Sequence, residues 1–332
     1  MVYLTHKTSR GQRYYYLVKS YKQEGMVGKI QEYLGQDEPS KKELEQLKRE
    51  LTPEMEMKAI ERMARASVEQ YNPPFLNDEQ IYSLERLRLL NRAINRMEEP
   101  ENNIMNEHVR RINSVRGNLT LSKNTLSGKN IATILDQNSV PNGVTVSDVI
   151  RVTNLRKIDL KIIKEIKKLS VKKLLKIYGE VNEGLGVIIE LRKCPGDALA
   201  GSSFVPPPSL LIEDELEGLI EWWESPTLMH PFEKVVLFHH RLMQIKPFEK
   251  DNGIFGRLVL DGMLRQSGFL APNWKKTDKE NYLGLLVAGD REDCKQLIDC
   301  FWKIYRRQHK AIIEGDIISS LSRRRQTQLE AF

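Results

Sequence analysis

The order of apolar and polar residues predicts a small β-structure at the N-terminus, followed by a long series of helices. Residues 13–21, RYYYLVKSY, contain the aromatic and β-branched residues that favour a strand, and residues 26–35 form a second short strand candidate. From Ser40 onward the spacing is helical, with a break expected at Pro53 and another helix over residues 78–97. We therefore expect a β-hairpin or three-stranded ribbon joined to helices.

Helical spacing continues through the rest of the chain, with one interruption at residues 184–208. There GVIIELRKC favours a strand, PGDALAG a turn, and SSFVPPPS an extended arm, because three consecutive prolines are incompatible with a helix. The pattern predicts a β-hairpin inserted between helices. The helices predicted around it span residues 130–135, 146–152, 160–178, 214–223, 231–245, 254–265, 279–287 and 291–315.

These patterns predict a mainly α protein in four parts. We expect an N-terminal β appendage at residues 1–36, a helical region at 37–115, a helical core at 116–315 with the hairpin near 184–208, and a basic tail at 316–332. No internal repeat of the kind that builds solenoids is visible in the sequence.

Composition and charge narrow the functional class. The 332 residues include 40% hydrophobic residues, and 52 Lys and Arg against 45 Asp and Glu give a net charge of +7, so a disordered or fibrous chain is excluded. No apolar run approaches the roughly 20 residues that cross a bilayer, and the N-terminus lacks the apolar segment of a secretory signal. Only three cysteines occur, none in a CxxC pair, so we expect a reducing, cytoplasmic location and no structural zinc. The basic balance suits a phosphate-bearing ligand or a nucleic acid, and a solvated basic surface equally well.

The most informative segment is the loop between the helices predicted at 231–245 and 254–265. Asn252 and Gly253 end this loop at a helix start, where free backbone N–H groups and the helix dipole favour an anion. Arg257 follows one turn along the same face. An ordinary helix–loop–helix in which Asn252 is only a cap explains the same residues.

The segment KPFEKDNGIFGR at residues 246–257 resembles the signature HPFx[DE]GNGRxxR of the Fic (Fido) family, and His239 falls on the histidine that precedes it. Residues 184–208 resemble the flap of that family, Trp222 and Trp223 its tryptophan pair, and NTLSG at 124–128 its inhibitory motif SxIEG. The resemblance implies a Fic-type helical bundle with a β-hairpin flap. It also implies transfer of a nucleotide monophosphate, usually AMP from ATP, to a protein hydroxyl.

Four positions of the loop depart from the family signature. Lys246 replaces the general base histidine, Lys250 the metal-binding acid, Asp251 the first glycine and Ile254 the first arginine. Lysine is a poor base because its ordinary pKa is about 10.4, and an ammonium group cannot bind Mg²⁺. We therefore expect no metal site, and a pseudoenzyme that binds ATP or another nucleotide with little or no transfer. The family residues that remain are Pro247, Phe248, Asn252, Gly253 and Arg257.

The resemblance also implies a set of binding residues. Lys246 occupies the base position, and Ser127 occupies the inhibitory position, where it cannot pair with Arg257 as a glutamate would. A nucleotide, a protein target at the flap and a second copy of the chain are the expected partners. The flap residues are Ser203, Phe204 and Val205, and the nucleotide- or phosphate-binding residues are Lys250, Asn252, Gly253, Ile254, Phe255, Gly256 and Arg257.

Two alternatives remain open at the sequence level. In the first, the protein is an active, metal-independent nucleotidyl or phosphoryl transferase, with Lys250 replacing the metal and Lys246 acting as base or phosphate clamp. In the second, a nucleic-acid-associated regulator uses the lysine-rich segment at residues 157–176, although a solvated outer helix face explains these lysines as well.

Overall fold

The computed structural model describes residues 2–23, 26–97, 100–122 and 126–315, and these residues are mainly α-helical. The predicted basic tail at 316–332 lies outside the described residues. Three strands precede the helices: β1 (Val2–Ser9), β2 (Gln12–Gln23) and β3 (Met26–Gly35). The helices are α1 (Lys41–Val68), α2 (Asp78–Met97), α3 (Pro100–Leu121), α4 (Gly128–Asp136), α5 (Val146–Ile166), α6 (Val171–Asn182), α7 (Ile212–Glu224), α8 (Pro231–Ile245), α9 (Asn252–Gln266), α10 (Lys279–Asp290) and α11 (Cys294–Ile313).

The N-terminal strands form an antiparallel sheet in the order β1-β2-β3, which confirms the predicted small β-structure. Arg10 and Gly11, both with positive φ, form the tight turn between β1 and β2. The sheet buries Leu17 and Ile30 against α1 and α2. This small core is separate from the main helical core, and it ties the N-terminal strands to the helices.

Helix α1 runs without interruption through Pro53, where the sequence predicted a break. A proline inside a helix removes one backbone hydrogen bond. The helix continues because the residues just after Pro53, among them Met55 and Ala59, are completely buried in the core beneath the sheet. Its start at Ser40 is fixed by a capping box with Glu43.

The helix predicted over residues 160–178 is two helices in the structure, because α5 ends at Ile166 and α6 begins at Val171. Ser170 caps α6 by accepting a hydrogen bond from the Lys173 N–H, which stabilises the break. Helix α5 also extends back to Val146 behind a capping box at Thr145, so two predicted pieces belong to one helix.

The predicted β-hairpin at residues 184–208 is wrong, because no residue of this fully described segment is in a strand. Its central residue, Arg192, donates its N–H to the Pro247 carbonyl 2.9 Å away instead of to a facing strand. The Arg192 guanidinium then donates to four further backbone carbonyls. Three prolines also have no N–H for a strand ladder. We call residues 187–208 the flap segment.

Helices α8 and α9 lie at the centre of the helical core, and the loop between them is the candidate site. Gly256 of α9 approaches α8 so closely that a side chain there would come within 2.7 Å of Met243 Sδ. Gly262 does the same against Ile162 of α5. The loop at residues 246–251 is thus held by two packed helices. Within the described ranges, no helix has both the length and the apolar character that a bilayer crossing requires.

Candidate functional site

Two left-handed residues define the loop between α8 and α9. Lys246 follows α8 with φ 45°, and Asp251 precedes α9 with φ 58°. Aspartate tolerates this conformation better than most residues. The Asp251 carboxylate does not cap α9 but forms an ion pair with Arg151 at 2.7 Å, while Arg151 also donates to Asn182 Oδ1. The negative charge that replaces the family glycine is therefore neutralised by a helix outside the loop.

The side chain of Asn252 closes the loop. Its Oδ1 accepts a hydrogen bond from the Phe248 N–H at 3.0 Å, and its Nδ2 donates to the Phe248 carbonyl at 2.6 Å. Below the loop, the Tyr178 ring stacks on Phe248 with 3.6 Å between ring centroids, and its hydroxyl donates to the Lys250 carbonyl. Asn252 contributes its side chain to loop structure, which leaves only its backbone N–H for a ligand.

The first turn of α9 presents unpaired amides. Across the described part of the chain, the N–H groups of Asn252, Gly253 and Ile254 have no hydrogen-bond partner. The Phe255 N–H, which the resemblance placed in the phosphate nest, donates to the Asp251 carbonyl at 3.0 Å instead. The nest therefore consists of residues 252–254. Such a group of amides at the positive end of a helix dipole is suited to bind an anion.

The amides face a cavity of about 490 Å³, which is large enough for a nucleotide. Tyr282, Leu283 and Leu286 of α10 form one wall, and the flap segment forms another through Arg192, Leu199 and residues 194–197. The remaining lining residues are Leu121, Ser122, Met243, Lys246, Phe248, Glu249, Asp251, Asn252, Gly253, Ile254, Arg257 and Lys279.

Arg257 lines the cavity but is already engaged by the protein. Its Nη2 donates to the Asn118 carbonyl at 2.9 Å and to Ser122 Oγ, and its guanidinium lies over the Tyr282 ring. Gly253 allows this approach, because a Cβ there would lie 3.0 Å from Arg257 Nη1. Arg257 Nε has no partner among the described residues. The positive charge at the cavity thus belongs to a side chain that hydrogen bonds to the end of α3 hold in place.

Lys246 also faces the cavity. Its Nζ donates to the Asp197 carbonyl of the flap segment. Burial lowers the pKa of Lys246 below its ordinary value and the nearby Arg192 adds to that, whereas Asp197 and Asp290 act in the opposite direction. The ammonium therefore links the loop to the flap segment.

Three of the predicted binding residues do not line the cavity. Lys250 is exposed, and only its neighbours Glu249 and Asp251 contribute to the lining. Phe255 and Gly256 are buried and pack α9 against Tyr178, Phe248 and α8. Lys250 is directed to solvent, whereas Phe255 and Gly256 are directed into the core. The spacing of residues in the sequence could not distinguish these positions from those that line the cavity.

The predicted flap and inhibitory residues also lie elsewhere. Ser203, Phe204 and Val205 are absent from the lining, and the flap residues over the cavity lie earlier, between residues 192 and 199. Phe204 and Val205 instead line an outer groove beside α7. Ser127 caps α4 by accepting a hydrogen bond from the Asn130 N–H and does not contact Arg257. Ser122 holds Arg257 instead, and no pattern in the sequence marks it.

The residues present do not fit a metal ion. The described residues contain no group of three or more His, Cys, Asp or Glu side chains arranged to hold one. The acidic residues of the lining are Asp197, Glu249 and Asp251, and Asp251 is paired with Arg151. His239 is enclosed between α8, α9 and α10, where it contacts the Gly256 carbonyl and the Tyr282 hydroxyl. Burial lowers the pKa of His239 to about 3, so the ring is neutral and structural.

Comparison with known proteins agrees with this geometry. Residues 157–264, which include α8, the loop and most of α9, match the model of the Fic/DOC family. These residues are similar in sequence to a Fic domain. A solved Fic domain containing signaling protein from Bacteroides thetaiotaomicron has the same fold, with a TM-score of 0.60, 17% identity, and coverage of 71% of this chain and 98% of that one. The Fic-1 structure of Caenorhabditis elegans is similar at a TM-score of 0.56, with 18% identity and coverage of 89% and 80% of the two chains.

The curated proteins that this chain matches are named as transferases. The protein adenylyltransferase Fic of Nematostella vectensis is 27% identical over 130 residues, which are 39% of this chain and 30% of the relative. A probable protein adenylyltransferase of Aquifex aeolicus is 27% identical over 113 residues, 34% of each protein. The match thus spans about a third of the length of these relatives.

Proposed function

We propose that the Fic domain binds ATP or another nucleotide at the loop between α8 and α9 and performs little or no transfer of AMP to protein. The observation that carries this proposal is the set of three unpaired amides, Asn252 to Ile254, facing a cavity of nucleotide size. The names of the relatives give the ligand class, because adenylyltransferases use a nucleotide. Arg257 adds a cation to the same cavity.

The proposed loss of transfer rests on the groups at the base and metal positions. Lys246 is an ammonium that donates to the Asp197 carbonyl, so its protonated form has a partner. Lys250 stands where the family signature has an acid, and its exposed side chain does not line the cavity. Acid–base work and metal binding both need groups other than these. The flap segment is the surface at which a protein target would lie.

One observation favours the second candidate, a metal-independent transferase. Burial lowers the pKa of Lys246, which is the direction a lysine base requires. Lys246 also lies at the cavity, within reach of a bound phosphate. The two candidates differ in whether a labelled group leaves the nucleotide.

The test uses ATP labelled at the α- or the γ-phosphate, with and without Mg²⁺. We expect ATP to raise the melting temperature of the protein because it binds only the folded state, and we expect no label on protein. Arg257→Gln should weaken ATP binding about tenfold or more, since a charge-assisted hydrogen bond is lost. Arg291→Gln is the matched control, because Arg291 is exposed and lies outside the cavity lining. Label transfer that disappears in Lys246→Ala would establish the second candidate.

A revertant tests whether the four departures from the family signature explain the proposed loss of AMP transfer. The variant carries Lys246→His, Lys250→Asp, Asp251→Gly and Ile254→Arg, and it should gain transfer of the α-labelled group when Mg²⁺ is present. Its melting temperature and its ATP affinity show whether it is folded and loaded. A folded revertant that binds ATP and transfers nothing would contradict the explanation.

All three cysteines of the protein are free thiols, which supports a reducing compartment, and we include a cytoplasmic location in this proposal.

A further inference from the structure

A second cleft lies between α2, α3 and the chain that connects α9 to α10. Its volume is about 660 Å³, which is within the range of small-molecule sites. It shares no lining residue with the cavity at the phosphate loop. Apolar residues form much of its wall: Val109, Ile163, Phe269, Leu270, Ala271, Pro272 and Ile312.

The cleft contains a hydrogen-bond acceptor without a partner. His309 is 9% exposed, and its Nε2 has no hydrogen-bond partner among the described residues. Burial lowers the pKa of His309 to about 4, and the Ala271 carbonyl, its hydrogen-bond acceptor, acts in the opposite direction. Because Nε2 is unpartnered, the ring reaches that carbonyl through Nδ1–H, and Nε2 keeps a lone pair. Asn273 Oδ1 is a second buried acceptor in the lining that has no partner.

The cleft also contains a cation that forms no ion pair with a described carboxylate. Arg110 and Arg265 line it, but both are paired with Asp159, at 2.6 and 3.1 Å. Arg92 lines it with no carboxylate oxygen within 4.0 Å among the described residues. Partial burial and the neighbouring charge of Arg88 lower the pKa of Arg92, whereas the charge of Glu85 acts in the opposite direction. A bound anion would reduce the cost of burial and of the repulsion from Arg88.

The backbone is shaped around this arginine. Gly268 has φ 86°, and a side chain there would approach Arg92 Nη2 to 3.0 Å. Phe269, the next residue, lies under the Arg88 guanidinium and is among the residues that line the cleft, with 2% of its surface exposed. One apolar, aromatic wall therefore lies between a cation and two buried acceptors.

We propose that this cleft is a second ligand site, which takes a small aromatic or heterocyclic acid that carries a hydrogen-bond donor. The acid group binds Arg92, the ring packs on Phe269 and its apolar neighbours, and the donor reaches His309 Nε2 or Asn273 Oδ1. Each buried acceptor gains the partner that it lacks in the free protein. The site is spatially separate from the proposed nucleotide site.

The probe that tests the proposal is 4-hydroxybenzoate, with benzoate lacking the donor and phenol lacking the acid. Titration calorimetry and amide NMR shifts of the full chain should show one site for 4-hydroxybenzoate, with shifted signals around residues 268–273. Benzoate should bind several-fold more weakly and phenol about tenfold more weakly, in line with the loss of a neutral and of a charged hydrogen bond. Saturating ATP should leave 4-hydroxybenzoate bound, which separates this test from the proposed nucleotide function.

Two variants locate the site. Arg92→Gln changes an exposed residue and should weaken 4-hydroxybenzoate about tenfold while leaving the melting temperature of the free protein unchanged. His309→Leu should reduce the affinity for 4-hydroxybenzoate to that of benzoate, and should leave benzoate itself unaffected. Arg291→Gln is the control for loss of a positive charge. Equal binding of all three probes, absence of binding, or an Arg92→Gln protein with unchanged affinity would overturn the proposal.

Discussion

Asp251 lies next to the three free amides and affects them through both its backbone and its charge. Its φ of 58° is a conformation that asparagine adopts about as readily as aspartate and glycine more readily. Its carboxylate, although paired with Arg151, remains beside the position where an anion would bind. Two different substitutions therefore separate these effects: Asp251→Asn removes the charge alone, and Asp251→Gly also removes the conformational cost of the left-handed backbone.

Asp251→Asn should strengthen ATP binding several-fold, because a like charge leaves the anion site while the left-handed turn is kept. Asp251→Gly should bind ATP equally well, with a free energy of unfolding within about 1 kcal/mol of the parent protein. The relief of backbone strain in that variant is offset by the entropy of glycine in the unfolded chain and by the lost ion pair. Calorimetry and chemical denaturation measure the two quantities. Unchanged ATP affinity in both variants would show that this carboxylate does not act on the site.

Asp261 is a second acidic residue, and its surroundings disfavour its ionised form. It is almost completely buried, its Oδ2 accepts a hydrogen bond from the Ser114 hydroxyl, and its Oδ1 has no partner among the described atoms. Burial, reinforced by the charge of Asp159, raises its pKa to about 7. The folded protein therefore keeps this proton between about pH 4 and pH 7 whereas the unfolded chain loses it, so this group lowers stability as the pH rises through that window.

Asp261→Asn should remove that cost. Its free energy of unfolding should match the parent protein near about pH 4 and exceed it by at most about 4 kcal/mol near about pH 8. Urea denaturation at several pH values measures the difference. Asp159→Asn is the informative comparison, because it breaks the ion pairs to Arg110 and Arg265 and should destabilise by about 3–5 kcal/mol. A stability gap for Asp261→Asn that does not grow with pH would contradict the assignment.

The residues of the site that the sequence predicted are those of the loop itself. Asn252 and Gly253 mark a helix start, and Arg257 follows one turn later, so local chemistry was sufficient for them. Arg151 and Ser122 were missed because they reach Asp251 and Arg257 from 100 and 135 residues earlier in the chain. Contacts of this kind leave no periodic signal, so a single sequence cannot reveal them.

At the scale of elements, the flap segment depends on one side chain. Arg192 is 2% exposed, and its guanidinium donates to the carbonyls of Cys194, Pro207, Ile245 and Lys246. These four bonds connect both arms of the segment to the end of α8. The planar guanidinium has enough donors for all four in a fixed geometry, whereas a lysine has three on one nitrogen.

Arg192→Lys should therefore loosen the flap segment without unfolding the helical core. Amide hydrogen exchange, followed by mass spectrometry, should become about tenfold faster or more over residues 192–208 and stay unchanged in α5 and α9. Lys193→Gln is the control, since among the described residues the exposed Lys193 pairs only with Glu190 in the same segment. Equal exchange in Arg192→Lys and in the parent protein would show that the segment is held by other contacts.

Element prediction succeeded where the pattern was local and long. Helix α2 has the bounds that its spacing predicted, and the start of α1 follows from its capping residues. The flap segment has the composition of a strand, but its hydrogen bonds go to Arg192 and to the loop after α8 instead of to a neighbouring strand. Strand formation depends on a partner elsewhere in the fold, and composition does not contain that information.

At the scale of the molecule, α3 connects the two cavities. Its residues Arg110, Ser114 and Asn118, and Ser122 just beyond its end, lie four apart on one face. Arg110 and Ser114 line the second cleft. Asn118 and Ser122 hold Arg257 at the phosphate loop, and Asn118 Nδ2 donates to the Ser114 carbonyl, so one polar row runs from cleft to cavity.

This row predicts negative coupling between the two proposed ligands. A nucleotide that binds Arg257 draws the guanidinium away from Asn118 and Ser122, whereas an acid in the second cleft stabilises α3 in its present position. Saturating 4-hydroxybenzoate should therefore weaken ATP binding about threefold or more, and by linkage ATP should weaken 4-hydroxybenzoate by the same factor without excluding it. Ser122→Ala removes one of the hydrogen bonds that hold Arg257 on α3. Because less is then lost when Arg257 turns to the nucleotide, ATP should bind more tightly and the coupling between the two ligands should decrease. Calorimetric titrations of each ligand with and without the other measure all four affinities, and strictly independent binding would rule out transmission through α3.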